Sequence, residues 1–194
     1  MTAALKIPLR MTVAEFLAWN PPAEQIWQLV DGEPQAMAPP NRTHGAMQNE
    51  LGRLISNQLA ERGSLCAVVT TPGVVPHVQS DFNIRVPDLA VTCSNYEHEE
   101  TVLSDPVLLV EILSPSNQAE TWANVWAYIT IPSVNEILIV RTASIGAELL
   151  RRKADGSWPK QPARIDAGGE LILESIGFRA PLTAIYRTTR LKRP

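Results

Sequence analysis

Residues 81–116 read DFNIRVPDLAVTCSNYEHEETVLSDPVLLVEILSPS, and this stretch constrains the fold more than any other. It holds two short apolar runs, 89–92 and 107–113, that read as strands covered on both faces. Each carries one carboxylate where an apolar residue is expected: Asp88 just before the first run and Glu111 inside the second. An unpartnered buried carboxylate is costly or takes up a proton, so it is usually paired, hydrogen-bonded or bound to a metal. If the two strands are neighbours, both carboxylates could reach one divalent cation.

A chain of 194 residues suits one domain with a sizeable core. The net charge of −3 gives no global basic field. A polyanion partner would therefore need local basic patches or a bridging metal. Residues 81–120 carry eight acids against one arginine, so a cation there would relieve repulsion. Cys66 and Cys93 sit in apolar surroundings without metal-like spacing and read as buried free thiols in a reducing compartment. The start of the chain lacks the apolar stretch of a signal peptide, and no run is long enough to span a bilayer. A cytoplasmic protein with no membrane partner is expected.

Thr12-Val-Ala-Glu15 fits a capping box opening a short helix that ends before Pro21. Asp31-Gly32, flanked by 26–30 and 34–37, signals a hairpin. From Thr43 a longer helix is expected, with Met47, Leu51, Leu54, Ile55 and Leu59 on one stripe and Gly63 as its stop. Strands are expected at 66–71, 74–78 and 136–140. Residues 114–116 would cap a helix over 118–129 that buries Trp122, Val125, Trp126 and Ile129. The acidic run 97–100 reads as a solvated loop. The remainder reads as a meander of 147–153, 158–162 and 170–173, followed by a fraying basic tail, 187–192.

These elements define an α/β (α+β) fold with a mixed sheet flanked by helices and added β-hairpins. The single domain, 1–194, has its core at about 43–141. A helix and hairpin over 12–38 precede the core, and a β meander over 147–186 follows it.

Pro87-Asp88 and Glu111-Ile112-Leu113 resemble the PD-(D/E)XK nuclease signature, with the acids separated by 23 positions (111 − 88). LVDGEPQAMAPPNRTHG, RVPDLAV, VEILSPSNQAET and VWAYITIPSVNEILIV, in that order, look like the Uma-type family of bacterial proteins grouped with restriction endonucleases. The resemblance covers roughly residues 12–140, and the C-terminal meander more loosely. It implies a restriction endonuclease-like core with Asp88, Glu111 and the backbone carbonyl of Ile112 as ligands of Mg²⁺ or Mn²⁺. Glu33 and His44 match positions that family members share, and they join the candidate catalytic residues.

Metal-assisted phosphodiester hydrolysis suits these residue types. It needs water deprotonated near neutral pH and charge stabilised on phosphoryl oxygens. The third position of the tripeptide, however, is Leu113 rather than lysine. Relatives often carry the lysine four residues before a tyrosine matching Tyr128; here that position is Asn124, also a candidate site residue. Gln28 stands where many relatives have glutamate. Fold-level analogy adds DNA as the expected partner and a homodimer as the expected assembly.

The first reading is a Mg²⁺-dependent DNA endonuclease. The alternative is a catalytically impaired nuclease fold that binds nucleic acid or a protein without cleaving, and a third is a hydrolase using both carboxylates without metal. Structural alternatives exist for single residues as well. Asp88 could be a turn carboxylate, Glu111 an ion-pair partner of Arg85, His44 a helix cap, and Glu33 a solvated hairpin acid.

Overall fold

The computed structural model describes residues 10–21, 24–95 and 100–192. A six-stranded mixed sheet organises the chain, in the order β3 (Ala67–Thr70), β4 (Leu89–Thr92), β5 (Pro106–Leu113), β6 (Glu136–Arg141), β7 (Gly146–Arg151) and β8 (Ala163–Asp166). Among the described strands of this sheet, only β5 and β6 pair in parallel, and α3 (Gln118–Tyr128) lies between them in the chain. Alternation along β5 sorts its side chains onto two faces. Leu108, Val110 and Ile112 join the core under α2 (Arg42–Glu61), whereas Leu109 packs with Val125 and Tyr128 of α3. Glu111 falls on the α3 face.

The capping box forms as expected at the start of α1 (Val13–Ala18). In the expected hairpin, Asp31 and Gly32 both take positive φ between β1 (Trp27–Val30) and β2 (Glu33–Ala36), as a tight primed turn requires. Leu29 bridges to Ile84, which ties the hairpin to the segment leading into β4. In α2, the Asn41 side chain caps the His44 N–H at 3.0 Å, and Gly63 ends the helix at φ +63.

Several expectations fail for identifiable reasons. Residues 74–78 form no strand; Val74 makes only an isolated bridge to Arg85. The α3 stripe is rotated, burying Thr121, Asn124, Val125, Ala127 and Tyr128 while Trp126 is 51% exposed. Asn117 precedes α3 without a side-chain cap; its Oδ1 accepts from Ser114 instead. Residues 158–162 form no strand. The sheet instead continues through β7 and β8, and β9 (Glu170–Leu173) pairs with β10 (Phe178–Pro181). The basic tail docks rather than frays: Arg187 bonds Glu50 twice, Thr189 is buried and Leu191 packs on the core.

Cys66 and Cys93 are not free thiols. The β3–β4 register pairs Ala67 with Thr92, so the next residues out face each other, and they are joined as a disulfide. Cys93 is also exposed rather than buried. The disulfide removes the argument for a reducing compartment. No helix among the described residues is long and apolar enough to cross a membrane. The acidic run lies almost wholly outside the described residues.

Candidate active site

Asp88 and Glu111 meet because of strand register. β4 runs antiparallel to β5 with Leu89 opposite Val110, so one residue further out Asp88 stands opposite Glu111. Opposite residues share a face, and like charges in that position repel. The two residues are only 8% and 5% exposed.

Each carboxylate has a distinct set of partners. Asp88 Oδ2 accepts the backbone N–H of Ile112 at 2.6 Å, tying the first strand's acid to the second strand. Its Oδ1 lies 3.2 Å from His44 Nε2, which reaches it from the first turn of α2. One turn along α2, Gln48 donates to the Asp88 backbone carbonyl at 2.7 Å, and Thr71 N–H donates to it at 3.1 Å. His44 thus sits in an Asn41-capped first turn with its ring against Asp88. Its Nδ1 is buried without a partner.

Glu111 Oε1 accepts from Tyr128 OH at 2.7 Å and from Asn124 Nδ2 at 3.4 Å. These donors stand four residues apart on the buried face of α3, which explains the rotated stripe: its polar members serve Glu111. Burial pushes the Glu111 carboxyl well above its ordinary range, the Asp88 charge adds to this, and the two donors oppose it. Burial and the Glu111 charge likewise push the Tyr128 hydroxyl up.

Beneath them Arg85 donates to Asn124 Oδ1 at 3.3 Å and to Asn83 Oδ1 at 3.0 Å. The Arg85–Glu111 ion pair, the structural alternative for Glu111, does not form; Asn124 stands between the two. Gln28, fully buried, donates to Glu120 at 3.0 Å and leaves its own oxygen without a partner. Glu33 is exposed on β2 and makes no bond to these residues. The structure therefore brings together Asp88, Glu111, His44, Asn124 and the Ile112 backbone, and leaves Glu33 apart. Sequence reasoning missed Tyr128 as a site residue, although its spacing from Asn124 was a usable signal. It also missed Gln48, one helical turn after His44.

The same face continues across the sheet, because Glu111 aligns with Ile139, Ile139 with Glu148 and Glu148 with Arg164. A cleft of about 860 Å³ opens there, lined among others by Leu113, Trp122, Arg141, Glu148 and Arg164.

Two buried acids thus face each other across neighbouring strands, on a mixed sheet flanked by helices. The family model for Uma2, described as "Putative restriction endonuclease", matches residues 13–183, and the chain belongs to this family. It is 27% identical over 180 residues to an uncharacterized protein of Synechocystis sp., covering 92% of each chain. A crystal structure described as a "putative nuclease belonging to DUF820" from Anabaena variabilis shares the fold. Its TM-score is 0.72 at 18% identity, over 91% of this chain and 97% of that one.

Proposed function

We propose that the chain is a divalent-metal-dependent endonuclease that hydrolyses DNA phosphodiester bonds. One observation carries this reading: Asp88 and Glu111 are buried opposite each other, and neither is salt-bridged by a lysine or arginine among the described residues. The donor set fits Mg²⁺ or Mn²⁺, which is commonly held by one or two carboxylates plus waters and substrate phosphates. No group of three or more His, Cys, Asp and Glu that could hold an ion occurs among the described residues. The ligands would be Asp88, Glu111 and the Ile112 carbonyl. Bound there, the ion would supply Lewis-acid stabilisation of phosphoryl oxygens and a lowered pKa for water.

The chain's own residues hold that arrangement. Each carboxylate keeps acceptor capacity beyond the bonds described, because an ionised carboxylate offers about four lone-pair sites. Tyr128 and Asn124 fix Glu111, while His44 and the Ile112 N–H fix Asp88. Arg141 and Arg164, in the adjoining cleft, suit backbone phosphates of a bound strand.

A second reading, a fold that binds without cleaving, is favoured by Leu113 and Asn124 at the two lysine positions. The two readings separate in a plasmid-nicking assay with Mn²⁺. Wild type nicks and Glu111→Ala does not if the endonuclease reading holds; equal nicking by both proteins refutes it, and binding without nicking favours the second.

A further inference from the structure

Arg85 is the only lysine or arginine buried among the described residues, at 7% exposure. Buried charges are ordinarily paired with opposite charges. Yet no carboxylate oxygen of the described residues lies within 4.0 Å of its guanidinium, and its Nε is buried without any partner. Its hydrogen-bond partners are two amides, Asn83 and Asn124, and the carboxylates whose charge acts on it are Asp31 and then Glu120. Asn83 is itself committed, bonding the backbone N–H and the side chain of Asp31 at the hairpin turn. Asn83 thus links Arg85 to Asp31, and Asn124 links it to Glu111. Arginine offers only donors, so Asn124 must turn its oxygen to Arg85 and its NH₂ to Glu111. The guanidinium therefore polarises the amide that donates to Glu111, and this chain of bonds ends at the acid opposite Asp88.

We propose that Arg85 is the cation of this site: its charge, relayed through Asn124, serves Glu111 in place of a lysine at position 113 or 124. Arg85 is then a positioning residue, acting through Asn124 rather than on substrate. Residue 85 supplies a buried positive charge one amide away from Glu111. A lysine at 124 would supply it from the helix side.

The test is a cycle of Arg85→Met, Asn124→Lys and the double variant, read by thermal unfolding without metal. Arg85→Met leaves buried acids without their cation, and Asn124→Lys crowds two cations together. Each single change lowers the midpoint by about 6 °C or more. The double variant melts above both singles, because one cation again stands beside Glu111. A double variant that melts no higher than Arg85→Met, or fails to fold as that variant does, overturns the proposal. A purely structural Arg85 gives that result, since a lysine at 124 cannot replace its bond to Asn83.

A second arm, which rests on the endonuclease reading, uses plasmid nicking with Mn²⁺. Arg85→Met lowers kcat on the order of 100-fold with KM little changed, and the double variant regains about tenfold. Loss of kcat with no recovery in the double variant counts against the proposal. If wild type does not nick at all, the endonuclease reading falls while the melting cycle still decides the place of the charge.

Discussion

Glu50, Glu136 and Glu148 are held by arginines, whereas Asp88 and Glu111 are held by a histidine and neutral donors. All five are buried carboxylates. Glu50 pairs with Arg53 at 2.7 Å and Arg187 at 2.9 Å, Glu136 with Arg151 at 2.7 Å, and Glu148 with Arg141. Those arginines keep a third or more of their side chains in water, so the acid is neutralised without burying a second charge. At the β4–β5 junction the arrangement is reversed: two like charges face each other, and Arg85 is buried one amide away. The outer acids tie elements together. The central pair is an electrostatic cost that a bound cation would offset.

The largest effect that separates the two groups is expected at Glu136. Its oxygens accept from Arg151, from the N–H groups of Glu174 and Ser175, and from the Ser175 hydroxyl. Glu136→Ala should cost about 3–5 kcal/mol by urea unfolding, because four donors lose their acceptor. A loss under about 1 kcal/mol would erase the contrast.

Glu50 gives the next effect, and it depends on pH. Its bonds to Arg187 and then Arg53 lower its carboxyl from 4.5 to about 2. The folded state thus binds its proton less readily than the unfolded chain. The stability it contributes is fully present above pH 4.5 and is lost as pH falls towards 2. Arg187→Ala should flatten that acid limb, with only a small loss of stability at pH 7 because Arg187 is largely exposed. An unchanged limb would assign it to other acids.

Glu111 should respond with the opposite sign. Its carboxyl is raised, so the folded state takes up the proton first, and wild type gains stability as pH falls through that raised value towards 4.5. Glu111→Gln keeps an acceptor for Tyr128 and removes the charge facing Asp88. At pH 7 without metal it should leave stability unchanged or raise it by about 1 kcal/mol. A loss as large as that of Glu136→Ala would make the central pair structural.

Much of this layout was legible in the chain because its signals are local. The Thr12–Glu15 box, the Asp31-Gly32 turn and the Met47–Leu59 stripe each follow from spacing alone. The two strands and their acids were legible because a carboxylate inside Leu-Leu-Val-Glu-Ile-Leu stands out. Tertiary partners were not. Cys66 meets Cys93 only through a β3–β4 register that no nearby residue announces. Trp122, Val125, Trp126 and Ile129 made as good an apolar stripe as the observed face. The choice fell to Asn124 and Tyr128, which have a buried acid to satisfy. Arg85 was legible as a partner for Glu111, but the amides that receive it instead, from α3 and from the turn before β4, were not.

Calorimetric titration of Mn²⁺ into wild type, Asp88→Asn and Glu111→Gln tests the central claim most directly. One saturable binding event in wild type, absent from both variants while each still melts cooperatively, is the predicted result. Folded wild type that binds no Mn²⁺, or variants that bind it equally well, would contradict a shared metal site between Asp88 and Glu111.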